Sequence, residues 1–320
     1  MAVETLPVVR AGQLEIRPAG ERWLIRELWT RAAVGIVSGA PKSCKSWLVL
    51  EMATCVAARV PCLGRFAVDD PGPALIYMAE DALPQVRERI AALCAHHHLD
   101  LDALDLHVIT APSLRLDLPR DQERLAATVA KIKPRLLVLD PLVRMHRLDE
   151  NSAQDVSGLL GSLRELQRAH DLAIVLVHHS SKKRHGQAGL SLRGSSDLWA
   201  FTDSGAYLVR RDDHVVLTCE HRSCQAPQPF ALKLVTDGAP DGSAAHLEAI
   251  GPAADGPETP QPLDGRVLAA LQQAGSSQTR DALRQVLRVN NQRLGEALDT
   301  LAANGRIVRT AAGWSPCVRA

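Results

Sequence analysis

Aromatic side chains are scarce in this chain: phenylalanine, tyrosine and tryptophan together make up 3% of its 320 residues. A surface that holds a single nucleic-acid strand by stacking rings on its bases is therefore hard to build. An excess of one charge is lacking too, because 37 lysines and arginines meet 36 acidic residues and leave a net charge of +1. The overall charge consequently does not predict a nucleic-acid-binding protein.

Paired cysteines are also missing. The seven cysteines are scattered, and no two of them are spaced as CxxC. We therefore expect reduced thiols in a cytoplasmic protein, with neither disulfides nor a structural metal. No apolar run approaches the ~20 residues of a membrane-spanning helix, and charged residues interrupt the first 20 positions, so the sequence predicts no membrane span and no signal peptide.

What the chain does have is enough hydrophobic residues, 46%, to bury a large core. Four segments differ in composition: a mixed lead-in (1–30), a region of alternating apolar runs and helical patterns (31–250), a linker with four prolines and two glycines (251–263), and a compact tail (264–320). Apolar strands that alternate with helices are typical of an α/β fold with a mainly parallel sheet covered by helices.

A phosphate-binding loop is predicted between the first strand and the first helix of this region. Residues 39–46 read GAPKSCKS and match the pattern GxxxxGK[ST], except that Cys44 stands where the second glycine belongs. Lys45 is assigned to the β- and γ-phosphates and Ser46 to Mg²⁺. Cys44 has a Cβ where the pattern has glycine, so it strains the loop backbone and puts the rate of hydrolysis in question. The residues assigned to ATP are Gly39, Ala40, Pro41, Lys42, Ser43, Cys44, Lys45, Ser46 and Trp47.

Acidic residues follow two of the apolar strands. Asp140 comes directly after the run 136–139, at the strand edge where α/β sheets bind ligands, and it is assigned to Mg²⁺ together with Ser46. Glu80 follows the run 74–79 and is assigned as the base that polarises the attacking water. Its neighbour Asp81 is assigned instead to the N-cap of the next helix.

A histidine and a basic segment follow the strand at 173–177. For His178 the residues alone leave two roles open, a sensor of the γ-phosphate and a structural imidazole. Lys182, Lys183 and Arg184 are candidates for contacts with DNA phosphates or a neighbour's γ-phosphate, with a solvated loop as the alternative. Arg193 precedes a Gly-Ser-Ser turn that can present its guanidinium group.

Taken together, these motifs resemble the RecA-like P-loop ATPases of the RepA type, the class that includes a plasmid hexameric replicative helicase. The resemblance implies that Glu80 is the catalytic base, Asp140 the Walker B carboxylate and His178 a γ-phosphate sensor. It also implies that Arg193 is an arginine finger acting on the adjacent subunit, and hence a ring-shaped or filamentous homo-oligomer such as a hexameric ring. The matching segments cover about two-thirds of the chain in the family's order: 39–46, 77–81, 137–142, 149–151, 177–182 and 192–196.

The tail is basic, although the chain as a whole is nearly neutral. Residues 264–320 contain eight arginines, no lysine and four acidic residues, a charge of +4 that leaves −3 for the rest. Three helical patterns and a hairpin pattern resemble a small winged-helix domain. Asn291 and Arg293, at the start of the third helix, are assigned to DNA base edges, and Arg306 and Arg309 to phosphates, with protein contacts as the alternative.

The leading hypothesis is a Mg²⁺-dependent ATPase that acts on DNA, either helicase-like or as an accessory motor of replication or of a mobile element. The alternative is a DNA-binding regulator in which ATP controls assembly and hydrolysis is weak. A third possibility is an interaction scaffold with a vestigial nucleotide site.

Overall fold

The computed structural model divides the chain into two compact units, Met1–Gly256 and Pro257–Ala320. Each unit is described by itself below. The described residues are 6–14, 18–149, 152–179, 196–236, 245–252, 263–287, 289, 291–310 and 312–317.

The first unit is built on one nine-stranded sheet and a small separate hairpin. The hairpin pairs β1 with β2. The strands are β1 (Trp23–Ile25), β2 (Trp29–Thr30), β3 (Val34–Gly39), β4 (Ala74–Met78), β5 (Leu106–Val108), β6 (Leu136–Asp140), β7 (Ala173–His179), β8 (Ser204–Arg211), β9 (His214–His221), β10 (Phe230–Thr236) and β11 (Ala245–Pro252).

The order of strands across the sheet is β11-β10-β9-β8-β3-β7-β6-β4-β5. All pairings from β5 through to β8 are parallel, and those among β8, β9, β10 and β11 are antiparallel. The parallel strands therefore end at one common edge, which includes the ends of β3, β4, β6 and β7. The predicted α/β class with a mainly parallel sheet is confirmed.

Helices cover both faces of this sheet. Along β4, Ala74, Ile76 and Met78 pack with helices on one face, while Leu75 and Tyr77 pack with helices on the other. Successive strand side chains point to opposite faces, so a strand that is apolar at every position needs this double cover. The helices of the unit are α1 (Lys45–Ala58), α2 (Leu83–His96), α3 (Pro119–Ile132), α4 (Ala153–His170) and α5 (Ser196–Phe201).

Part of the predicted lead-in belongs to the core of this unit. Trp29 is fully buried, and its indole ring lies against Gly35 in β3, where an added Cβ would come within 2.7 Å of the ring. Leu24, Ile25 and Leu28 are equally buried in the same cluster. The compositional boundary at residue 30 thus does not coincide with the edge of the packed unit.

The second unit contains three helices and a hairpin. Leu271, Leu283 and Leu298, one from each helix, pack together with Ile307 from the hairpin. The third helix ends before Gly305, whose φ of 63° suits a helix terminus. The elements are α6 (Leu263–Ala274), α7 (Arg280–Leu287), α8 (Asn291–Ala303), β12 (Ile307–Thr310) and β13 (Gly313–Pro316).

Among the described helices of both units, none is long and apolar enough to span a bilayer.

Candidate nucleotide site

The loop between β3 and α1 has the predicted strand–loop–helix setting, with the strand ending at Gly39 and the helix beginning at Lys45. Two residues in it, Lys42 and Cys44, adopt left-handed backbone angles, with φ of 64° and 63°. Cys44 also immediately precedes the first helical residue. Glycine adopts such angles without steric cost, whereas a residue with a Cβ is strained there. The sequence departure at Cys44 therefore falls at a position where the backbone favours glycine.

Gly39 is needed for a different reason, close approach. A Cβ at this position would lie 2.4 Å from Ser43 Oγ and 2.6 Å from the carbonyl oxygen of Leu208 in β8. The loop is thus folded tightly over the end of its own strand. Compact loops that lead into a helix N-terminus bind phosphate through their backbone amides.

Lys45 lies across this loop. Its side chain is buried, and Nζ donates hydrogen bonds to the carbonyl oxygens of Gly39, at 3.0 Å, and Ala40, at 2.8 Å. Burial lowers the pKa of Lys45, and the nearby carboxylate of Asp140 opposes that effect. A partly desolvated ammonium group beside a phosphate loop interacts strongly with an anion.

Asp140 is the last residue of β6 and is almost completely buried. Burial raises its pKa to about 6, while the Ser46 hydroxyl and Lys45 act in the opposite direction. Its Oδ2 atom is buried and has no hydrogen-bond partner in the described part of the chain. The structure therefore brings Lys45, Ser46 and Asp140 to one place, as the sequence predicts.

Glu80 lies beyond β4 at the same edge of the sheet, but its carboxylate is engaged. Arg144, in a short 3₁₀ turn after β6, donates from Nε to Glu80 Oε1 at 2.6 Å. Both side chains are substantially exposed, so the strength of this pair depends on the ionic strength.

The assignment of Asp81 to a helix cap is wrong. Helix α2 begins at Leu83, and its N-cap is Ala82, which makes no side-chain capping bond. Asp81 instead forms an ion pair with Arg89, 2.6 Å long, and the Arg89 guanidinium lies 5.6 Å from the Trp47 ring centroid. Arg89 lies in the second turn of α2, so the carboxylate pairs with the side of the helix and does not cap its N-terminus. The Trp47 ring thus contacts α2 through the guanidinium group of Arg89.

His178 is buried near the end of β7, directly beside Ser38 of β3 in the parallel register. This position places its imidazole next to the strand that leads into the phosphate loop. The other residues predicted from the sequence fall elsewhere. Lys182, Lys183, Arg184 and Arg193 lie outside the described residues. For Asn291 and Arg293 only the backbone, in the first turn of α8, is described. Arg306 and Arg309, which precede and lie within β12, are exposed.

Two arginines that sequence reasoning missed lie near the loop. Arg144 holds Glu80, and Arg210 of β8 donates from Nη1 to the carbonyl oxygen of Lys42 at 3.1 Å. Arg210 also acts electrostatically on Cys44. Neither arginine stands in a recognisable motif. Arg210 comes near the loop only because β8 pairs in parallel with β3. That pairing is not readable from the sequence.

Comparisons with known proteins bear on the family and the fold of the chain. The AAA-domain family matches residues 2–185. No curated protein matches the sequence. Two solved structures are similar: an ATPase domain (TM-score 0.50, 11% identity, 68% of this chain and 85% of that chain) and the RadB recombinase (TM-score 0.48, 13% identity, 69% and 91%).

The likeness to the ATPase domain concerns the fold, since the identity is low. The family match spans more than half of the chain. The protein is a member of the AAA-domain family with a RecA-like P-loop ATPase fold.

Proposed function

We propose that the protein is a Mg²⁺-dependent, RepA-like ATPase that acts on DNA as a helicase-like or accessory motor. The observation that carries the proposal is the convergence of a buried ammonium group, Lys45, and a buried carboxylate, Asp140, at the mouth of a compact phosphate loop. Burying two opposite charges there costs free energy that a stabilising ligand can offset. A nucleotide triphosphate with its cation supplies the matching charges.

The residues present fit Mg²⁺. The buried Asp140 Oδ2 has no hydrogen-bond partner within the described chain, and the Ser46 hydroxyl acts on the same carboxylate. Hard oxygen ligands of this kind suit Mg²⁺. Ser46 and Asp140 would hold the ion, which supplies positive charge against the phosphate oxygens when bound.

The remaining roles belong to the chain's own side chains. Lys45 would leave the carbonyl oxygens of the loop to contact the β- and γ-phosphates. Glu80 would orient and deprotonate water, which first requires separation from Arg144. His178 would respond to the γ-phosphate from beside the loop, and Arg193 would complete the site of an adjacent subunit in a ring.

DNA contact is assigned to the second unit. Its charge of +3 contrasts with −2 in the first unit. Three helices followed by a hairpin are the elements of a winged helix. Exposed Arg306 and Arg309 would bind phosphates, and the first turn of α8, with Asn291 and Arg293, would meet base edges.

ATP turnover with no DNA, with single-stranded DNA and with duplex DNA tests the proposal. We expect DNA to raise turnover in the wild type, and Lys45→Ala to remove both turnover and ATP binding. Glu80→Gln should retain ATP binding and lose turnover. Lys131→Ala and Glu88→Gln, at exposed helix positions away from the loop, are the matched controls. Normal turnover in Lys45→Ala would refute the assignment.

A second function, ATP-controlled assembly with weak hydrolysis, is favoured by the ion pair between Glu80 and Arg144. A carboxylate held by a guanidinium group must first be released before it can orient the attacking water. In this case Arg144→Ala should raise the basal turnover, and the combination with Glu80→Gln should abolish that gain. Nucleotide-dependent change in oligomer size without DNA-stimulated turnover would favour this function over the motor.

A further inference from the structure

Four side chains with metal-binding atoms meet at the far end of α1, away from its phosphate-loop end. Glu51 and Cys55 lie one turn apart on α1 and so share one face of the helix. Cys62 lies in the turn that follows α1, and His97 directly follows α2. The ligand atoms of Glu51, Cys55 and Cys62 all lie within 4.8 Å of one another.

His97 completes the group. Its Nε2 atom lies 3.0 and 3.1 Å from the two Glu51 carboxylate oxygens and 3.6 Å from Cys55 Sγ. Cys55 Sγ lies 3.3 Å from Glu51 Oε1. Zinc bonds of about 2.3 Å to sulfur and about 2.0 Å to nitrogen and oxygen place the ligands of a tetrahedral site roughly 3.3–3.8 Å apart. The separations among Glu51, Cys55 and His97 are close to that range, and Cys62 Sγ lies within 4.8 Å of the Glu51 and Cys55 ligand atoms. To form the site, the Cys62 side chain would move toward His97.

The group is secluded from water. Glu51, Cys55 and Cys62 are buried, and the His97 side chain is 9% exposed. The amide of Leu63 donates to Glu51 Oε1 at 2.8 Å and fixes the carboxylate in place. The buried Glu51 carboxylate is compensated by its ion pair with His97 Nε2 at 3.0 Å, so a bound zinc ion would take the place of the proton between the two groups. Hydrogen bonds that orient a ligand in this way are typical of metal sites.

We propose that Glu51, Cys55, Cys62 and His97 form a structural zinc site. Two sulfur atoms, an imidazole nitrogen and a carboxylate oxygen suit Zn²⁺ and exclude Mg²⁺ as the preferred ion. On binding, the two thiols and His97 Nε2 each release a proton to the buffer, so that two thiolates, a neutral imidazole and a carboxylate hold the metal. The site would tie the end of α1, the turn after it and the end of α2 together.

This proposal replaces the expectation that the cysteines hold no structural metal. The sequence does not predict this site, because its ligands stand at positions 51, 55, 62 and 97 and show no CxxC spacing. They come together only through the packing of α1 on α2. The proposal does not rest on ATP hydrolysis. A hydrogen-bonded group without metal and a Cys55–Cys62 disulfide are the alternatives that the test distinguishes.

The test uses the full chain, reduced, stripped with a chelator and then titrated with Zn²⁺ against a chromogenic competitor. We expect one tightly held zinc ion per chain, a higher thermal midpoint with zinc, and protection of two thiols from a thiol reagent. Co²⁺ in place of Zn²⁺ should give a sulfur-to-cobalt charge-transfer band. That band separates this site from any cation bound by Ser46 and Asp140.

Variants locate the ion. Cys55→Ala, Cys62→Ala and His97→Gln should each weaken zinc binding by more than about tenfold. Cys219→Ala, which removes a buried thiol from β9, should leave binding unchanged. Should the cysteine variants fail to fold, the zinc titration of Glu51→Gln against that of the wild type tests the proposal, and Glu51→Gln should bind zinc more weakly.

Three results would overturn the proposal: a wild type that takes up no zinc, a cobalt complex without the sulfur band, or equal loss of binding in Cys219→Ala. A Cys55–Cys62 disulfide in freshly purified protein, detected by mass analysis of peptides under non-reducing conditions, would also overturn it.

Discussion

Cys44 shows how one side chain can set the energy of a loop. Its φ of 63° lies in the region where a Cβ costs about 1 kcal/mol or more relative to glycine. Cys44→Gly and Cys44→Ala remove the same thiol, but only the glycine relieves the backbone. We expect Cys44→Gly to be more stable than Cys44→Ala by about 1 kcal/mol in the free energy of unfolding, measured by urea denaturation. Equal stability of the two variants would mean that the loop angle carries no strain.

His221 makes the stability of the first unit depend on pH. Burial lowers the pKa of its imidazole, whose Nε2 donates to the carbonyl oxygen of Glu27 at 3.0 Å. Because the folded pKa lies below the unfolded value, the unfolded state takes up the proton first as the pH falls. The contribution is therefore complete above about pH 6.5 and is lost as the pH falls below it.

The measurement is the free energy of unfolding from pH 7.5 to pH 5 in wild type and His221→Gln. The wild type should lose stability more steeply on acidification than the variant. His107→Gln, at an exposed strand position, serves as the control and should keep the wild-type slope. Identical slopes in His221→Gln and the wild type would contradict the prediction.

At the scale of elements, strand β3 depends on a glycine for close packing. A Cβ on Gly35 would lie 1.9 Å from the carbonyl oxygen of Ser204 and 2.7 Å from the Trp29 ring. Gly35→Ala should therefore lower the free energy of unfolding by about 3 kcal/mol. The same substitution at Gly158, within α4, meets no atom within 4 Å and should raise it by about 1 kcal/mol through helix propensity. Thermal or urea denaturation of both variants is the test, and a loss of stability at both sites would contradict the packing argument.

The elements also show how far sequence could predict this structure. The apolar run 136–139 forms a buried strand that ends at Asp140, as predicted, because such a strand carries its pattern locally. Strands β1 and β2 are too short to carry a pattern, and they are fixed by Trp29 packing on Gly35. The ion pairs of Glu80 and Asp81, the approach of Arg210 and the Glu51–His97 group depend on contacts between distant segments, which one sequence does not reveal.

At the scale of the whole molecule, charge is divided between two units. The second unit carries +3 and the first −2, so a truncation at Gly256 should separate two activities. We expect the fragment 1–256 to bind ATP within about twofold of the full chain, because Lys45, Ser46 and Asp140 all lie in the first unit, and to lose most DNA affinity. Equilibrium binding of a fluorescent ATP analogue and of labelled DNA measures both. If the fragment kept full DNA affinity, the DNA-binding residues would have to lie in the first unit, contrary to the prediction.

The proposed mode of DNA binding rests on the same division of charge. With aromatics at 3% of the chain, contact by base stacking is disfavoured, and arginine–phosphate contacts remain. Each such contact contributes about 0.9 to the slope of log affinity against log salt on duplex DNA. Arg306→Ala combined with Arg309→Ala should therefore weaken binding to all sequences alike and reduce that slope by about 2.

The matched control removes two exposed arginines from the first unit, Arg87 and Arg120, and changes the net charge equally. If long-range charge alone attracted DNA, both double variants would lose affinity to a similar extent. If the hairpin of the second unit contacts the phosphates, only the Arg306 and Arg309 variant changes the slope. The slope of log affinity against log salt is measured from 50 to 200 mM salt. If it is unchanged in that variant, the arginines of the hairpin do not bind DNA phosphates, and protein contacts become the role assigned to the hairpin.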